Sequence, residues 1–161
     1  MKKNKLNIAI IGLGNIGSYL YKYLQLNKKI LSKKNNCIPE VIYVSAKNRN
    51  KKRNVRISKK IWLTNYLDST TLKNVDIIVE LIGGAEGAAK KLVFSALKNK
   101  KHVVTANKAL IAKYGDELSK IAEKNKVNLE FEAAVCGGVP IIRSLKEGLI
   151  ANKISRVYGI F

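Results

Sequence analysis

The stretch from Asn7 to Leu20, Asn-Ile-Ala-Ile-Ile-Gly-Leu-Gly-Asn-Ile-Gly-Ser-Tyr-Leu, constrains the fold of this chain more than any other. An apolar run, Ile8 to Ile11, leads directly into Gly12-x-Gly14-x-x-Gly17, and a helix-like pattern follows. A glycine fingerprint alone is weak, but one framed by a strand and a helix is much more specific. Gly12 permits the tight turn out of the strand, Gly14 leaves room for a pyrophosphate, and Gly17 lets the helix pack close to the sheet. The helix then aims free N–H groups and its positive dipole end at the phosphates. The pattern points to a bound dinucleotide; the plainer alternative is a glycine-rich turn in an ordinary α/β protein.

The 161 residues amount to one domain, or one domain plus the beginning of another. Cys37 and Cys136 lie far apart, with no CxxC pair and no histidine cluster, so neither a disulfide framework nor a zinc site is indicated. A reducing cytoplasm is the simplest setting. No apolar run approaches the length of a membrane span. The basic start, Met1-Lys2-Lys3-Asn4-Lys5, leads into a glycine turn rather than a signal-peptide cleavage region. With 31 basic and 11 acidic residues, the formal charge is +20. That raises nucleic acid as a partner, but the lysines are scattered through every segment and no aromatic residues interleave with them as a base-stacking platform needs. No nucleic-acid or membrane partner is therefore expected.

The apolar period switches repeatedly between strand-like and helix-like, which predicts βαβ units and a mostly parallel sheet. Strands are expected at 7–11, 41–44, 76–81, 102–104, 127–131 and 154–161, with a short one at 61–63. Helices are expected at 15–26, 85–99, 107–125 with a break near Gly115, and 141–149, with a brief helix or turn in 68–75. Residues 27–36 and 47–60 read as polar, basic connections. The fold class is α/β, a Rossmann-like doubly wound sheet.

Ligands in such sheets sit beyond the carboxyl ends of the strands. After the second strand, where an acid usually binds the ribose of NAD, comes Ser45-Ala46-Lys47-Asn48-Arg49-Asn50-Lys51-Lys52-Arg53, without an acid. Lys47 and Arg49 suit a 2′-phosphate and favour NADP over NAD, whereas Lys51 and Lys52 read as a solvated loop. Gly83 and Gly84, after Glu80-Leu81-Ile82, either admit the cofactor's backbone approach or form a plain helix entry. Thr105-Ala106-Asn107-Lys108 opens a helix, where the dipole disfavours a cation. Lys108 thus marks either a neighbouring anion or one more surface lysine. Glu132, among small and apolar residues, is either a ligand for a metal ion or cationic substrate, or a cap on the following backbone turn. His102, the one histidine, reads as structural.

Taken in order, Gly-Leu-Gly-Asn-Ile-Gly, Ser-Ala-Lys-Asn-Arg, Glu-Leu-Ile-Gly-Gly, Thr-Ala-Asn-Lys-Ala-Leu-Ile-Ala and Glu-Ala-Ala-Val-Cys-Gly-Gly-Val-Pro-Ile-Ile resemble homoserine dehydrogenase over nearly the whole chain. The resemblance implies an NAD(P)-dependent oxidoreductase interconverting L-homoserine and L-aspartate 4-semialdehyde, on the route to threonine, methionine and isoleucine. It assigns Gly12, Leu13, Gly14, Asn15, Ile16 and Gly17 to the pyrophosphate loop, and Lys47 and Arg49 to the adenosine end. Gly83 and Thr105 fall in its cofactor-binding turns, and Lys108 is its catalytic lysine beside nicotinamide and substrate. Glu132, Val135, Gly137 and Val139 match a monovalent-cation site, in which one Glu132 oxygen and three backbone carbonyls suit sodium.

The family's chain continues beyond Phe161 into an Asn-Gly-Thr segment and a substrate-binding, dimer-forming domain. The resemblance therefore implies a cofactor domain over 1–135 and the start of the substrate domain over 136–161. The second catalytic lysine and the substrate-orienting acids would lie outside this chain. The chain is expected to bind cofactor, to turn over poorly or not at all, and to self-associate through its last apolar strand; the full-length enzyme would be a homodimer. Rival readings are a related amino-acid dehydrogenase, or a dinucleotide-binding interaction domain without catalysis.

Overall fold

The computed structural model describes residues 4–159. Its centre is a five-stranded, wholly parallel sheet with strand order β2-β1-β3-β4-β5, built from β1 (Asn4–Ile11), β2 (Cys37–Ser45), β3 (Ile77–Glu80), β4 (His102–Thr105) and β5 (Leu129–Glu130). The helices are α1 (Asn15–Leu26), α2 (Lys28–Asn35), α3 (Asp68–Thr71), α4 (Ala88–Lys98), α5 (Lys108–Asn125) and α6 (Ile141–Arg143).

Because β1 is covered on both faces, its residues Ile8 to Ile11 form one buried apolar run. Successive side chains point to opposite faces. Ala9 and Ile11 join Ile78, Val103 and the buried rows of α4 and α5, while Ile8 and Ile10 join Tyr21 of α1, Val41 and Val44. Helices thus cover both sides, the doubly wound arrangement expected from sequence. Leu92, Leu97, Leu110 and Leu118 are fully buried, each stabilising the domain by roughly 2 kcal/mol.

Several expectations need correction. Residues 27–36 are not a bare connection: α2 fills them, ending at Asn36 in the left-handed region (φ 50°), a conformation that asparagine tolerates. Strand β2 begins before the expected residue 41 and contains Pro39, which is acceptable because β2 lies at the sheet edge. The 61–63 segment makes only one bridge, Val44 to Trp62, beside a 3-10 turn at Lys59–Ile61. Helix α5 runs through Gly115 unbroken, with Leu110, Leu118 and Ala122 buried, so its packed face overrides the glycine's weak propensity. The expected 141–149 helix is the short α6 followed by a π turn at Ser144–Gly148. Residues 154–159 form no strand, and 160–161 of that expected strand lie outside the described residues.

Candidate functional site

The strand order supplies the site. From β1 the chain turns to β2 on one side, then crosses to β3 on the other, so the exits of β1 and β3 diverge and leave a crevice. The crevice measures about 560 Å³ and is walled by Gly12–Gly14, the turn after β2, and Leu81 and Ile82 after β3. Thr64 and Tyr66, which sequence reasoning did not single out, also line it. They reach it because the β2–β3 crossover passes over the sheet end, and no local motif marks that route.

At the floor, Gly12 adopts φ +105° and donates its N–H to the Ser45 carbonyl (2.9 Å). A Cβ on Gly12 would fall 2.9 Å from Ile82 N and closer still to the Leu81 carbonyl. A Cβ on Gly17 would overlap the Gly12 carbonyl oxygen. These two glycines let β1, the turn and α1 approach one another. Gly14 faces open space and caps α1 without any side-chain hydrogen bond, and the first turn contains no acid. The positive end of α1 is therefore presented to the crevice without a protein counter-charge. Leu13 is anchored in the core beneath the loop, whereas Asn15 and Ile16 are exposed beside it.

On the side of β2, the structure separates the two cations expected to act together. Lys47 lines the crevice, joined by Lys51 and Arg53. Arg49 is instead held over the Trp62 ring, 5.4 Å from its centroid, in a neighbouring hollow. Arg53 is the organiser here. Its guanidinium donates to the carbonyls of Leu13 (3.0 Å), Asn48 (2.6 Å), Arg49 (3.0 Å) and Lys51 (2.8 Å), and it too lies over Trp62, at 5.3 Å. One side chain thereby folds the basic turn and ties it to the glycine loop. The forked donors of arginine allow this and a lysine's do not.

On the side of β3 and β4 the polar groups are buried. The Glu80 carboxylate accepts from the Ile82 and Gly83 N–H groups (2.7 and 3.2 Å) and from the Thr105 hydroxyl (2.5 Å). Thr105 Oγ1 accepts from Asn107 N (3.0 Å), and Asn107 caps α5 by accepting from Leu110 N while donating to the Gly84 carbonyl (2.7 Å). Gly83, at φ +86°, is thus part of a fixed turn, and Lys108 follows the cap as the exposed first residue of α5. Glu86, in the loop leading to α4, is bonded by the Lys113 ammonium and the Tyr114 hydroxyl of α5, which hold its carboxyl down at about 2.

In the loop after β5, Glu132 makes the capping contacts that were one of its two expected roles. Its carboxylate accepts from the backbone N–H groups of Ile142 and Arg143, both at 2.9 Å, so it caps the start of α6. Among the described residues no group of three or more His, Cys, Asp or Glu side chains forms a metal site. Of the four residues expected at a cation site, the Glu132 carbonyl accepts from Val135 N (3.2 Å) and the Val139 carbonyl from Ile141 N (2.8 Å), in a loop with Cys136 and Gly138 at positive φ. His102 accepts from Asn128 N through Nδ1 (3.0 Å), a structural link to the start of β5.

Residues 12–132 match the family profile described as homoserine dehydrogenase, NAD binding domain. The homoserine dehydrogenase of Bacillus subtilis is 40% identical over 155 residues, covering 96% of this chain and 36% of that protein. That of Neisseria gonorrhoeae is 41% identical over 157 residues, covering 96% and 35%. Among solved structures, a homoserine dehydrogenase from Thiobacillus denitrificans superimposes with TM-score 0.81 at 37% identity, over 92% of this chain and 34% of that one. A hyperthermophilic archaeal homoserine dehydrogenase in complex with NADPH gives TM-score 0.75 at 25% identity, over 91% and 50%. The chain spans about a third of the length of the curated relatives it matches.

Proposed function

Since this chain belongs to the homoserine dehydrogenase family, matching its NAD-binding domain, we propose that it forms the cofactor-binding part of an enzyme interconverting L-homoserine and L-aspartate 4-semialdehyde, in threonine, methionine and isoleucine synthesis. The observation that carries this reading is the glycine loop at the sheet's switch point, facing Lys47 of the turn after β2 and Leu81 and Ile82 of the turn after β3 across one crevice. Residues 1–135 would form the cofactor domain and 136–161 the first elements of a substrate domain, in a protein working as a homodimer. Two free cysteines accord with a cytoplasmic setting. Among the described residues no helix is long and apolar enough to cross a membrane.

The nicotinamide dinucleotide, when bound, supplies the hydride chemistry. The open N-terminus of α1, from Gly12 to Gly17, holds its pyrophosphate. The acid-free turn after β2 selects NADP: Lys47 and Lys51 meet the 2′-phosphate, with Arg49 in reserve on Trp62. Gly83 borders the nicotinamide, and Thr105, itself buried, fixes the turn beneath it. Lys108 lies at the substrate alcohol, where its ammonium handles the hydroxyl proton and stabilises charge on oxygen. The carbonyls of Glu132, Val135, Gly137 and Val139 would hold a monovalent cation such as sodium; the Glu132 carboxylate, committed to α6, contributes through its backbone oxygen. Calorimetric titration tests the reading. NADPH binds more tightly than NADH, and Lys47→Glu removes about tenfold of that preference, the loss of one charge-assisted contact. Equal affinities, or no binding of either, would overturn it.

A further inference from the structure

We infer that Glu80 is a positioning residue that joins the two turns under the nicotinamide half of the crevice into one rigid floor. The inference rests on the cofactor reading above. Among the described residues Glu80 is the one buried carboxylate, with no exposure at all. Burying an anion in an apolar core is costly unless hydrogen bonds replace its water. Here three do, and they come from two different chain segments. The Ile82 and Gly83 N–H groups belong to the turn after β3, and the Thr105 hydroxyl belongs to the exit of β4. Thr105 then fixes Asn107 N, and Asn107 returns to the first turn through the Gly84 carbonyl. The bonds close a ring, Glu80 to Thr105 to Asn107 to Gly84, that no backbone ladder supplies.

The residue types follow from that task. Gly83 and Gly84 both sit at positive φ, and a two-glycine turn free of restraint has many conformations to lose when a ligand arrives. Glu80 removes that freedom beforehand, which preorganises the wall carrying Leu81 and Ile82. It also sets the entry of α5, and hence the root of Lys108, at a fixed separation from that wall. A carboxylate is needed because all three partners donate. The carboxamide of glutamine keeps one acceptor oxygen but turns a donor toward Thr105, whose hydroxyl already accepts from Asn107 N.

Two probes separate this role from general support of the fold: NADPH, which spans both halves, and adenosine 2′,5′-bisphosphate, which fills only the adenosine half. Glu80→Gln is expected to weaken NADPH about tenfold while leaving the bisphosphate within about twofold. Thr105→Val, which deletes the hydroxyl with its bonds to Glu80 and from Asn107 N, produces the same split and serves if Glu80→Gln fails to fold. Equal weakening of both probes in a folded variant, or unchanged NADPH affinity in both variants, overturns the inference. A parent chain that binds neither probe overturns the cofactor reading, and this inference with it.

Discussion

The two ends of the crevice are built on opposite principles. On the β2 side, four carbonyls are gathered by one half-buried guanidinium, two arginines lie over a single indole, and Lys47, Arg49 and Lys51 stand exposed. On the β3–β4 side, Glu80 and Thr105 have no exposure and Asn107 has 6%, with the polar atoms engaged to one another. Charges in water attract a ligand from a distance but are screened and adjust easily. A dry, satisfied network holds geometry and penalises any lost partner. The first end is suited to capture and the second to alignment.

The change with the largest effect disables both ends together. Gly17→Ala drives a methyl into the Gly12 carbonyl, which is main chain and cannot rotate aside. Either α1 or the glycine loop must move, at a cost of about 3 kcal/mol. Thermal unfolding should reveal the loss, and titration should find NADPH and adenosine 2′,5′-bisphosphate binding both abolished. Retained binding with an unchanged melting temperature would show that the loop yields more readily than its packing implies.

Next comes a direct contrast between the ends. Glu80→Ala leaves two backbone N–H groups and a hydroxyl without their acceptor in a buried site, costing about 3 kcal/mol of stability. Arg53→Gln deletes bonds to carbonyls of which three, those of Asn48, Arg49 and Lys51, belong to exposed residues, costing about 1 kcal/mol. Its larger consequence is for binding, because the basic turn loses its tie to Leu13. Denaturant melts give the first pair of numbers and NADPH titration the second. Comparable stability losses in the two variants would erase the distinction drawn between the two ends.

The same contrast explains what the sequence revealed. The glycine loop was legible because three glycines at fixed spacing have few other uses, and the continuous burial of β1 and β3 follows from their apolar runs. The separation of Lys47 from Arg49 was not legible. It depends on Trp62, thirteen positions beyond Arg49, folding back beneath the arginines. Nor was Glu80: two of its partners, Ile82 N and Gly83 N, follow at once in the chain, but the third, Thr105, is brought in by β4 lying beside β3; the signal available was an acid at the end of an otherwise apolar strand. Glu132 was legible only as two alternatives, since its capping bonds reach ten and eleven residues ahead. The α2 helix was missed because Lys28–Asn35 is too polar to show a buried face, and only Ser32 in it is buried.

The smallest expected effect lies on the outer rim of the β3–β4 end, and it tests whether solvent exposure weakens a clamp there as it does across the crevice. Glu86 fastens the loop entering α4 to Lys113 and Tyr114 of α5, and the Lys113 ammonium is the main reason its carboxyl titrates at about 2 rather than 4.5. A carboxyl whose pKa is depressed by folding stabilises the fold above its unfolded value, and that contribution disappears as pH falls through the folded one. The contribution of Glu86 is therefore complete at neutral pH and is lost between 4.5 and about 2. Glu40 shifts in the same direction, held down by Lys5 and Lys28 at the far edge of the sheet, so it too contributes to the acid limb of the wild-type curve. Comparing wild type with Glu86→Gln isolates the Glu86 contribution: the stability gap is greatest above pH 5 and closes toward pH 2, both pH values being approximate bounds of the titration. Because the clamp is exposed, about 0.5 M salt should shrink the gap throughout. A gap that stays constant with pH would mean that the glutamine substitution acts through shape rather than charge. A gap that resists salt would mean that this rim is drier than its exposure indicates and behaves like the Glu80 network beneath it.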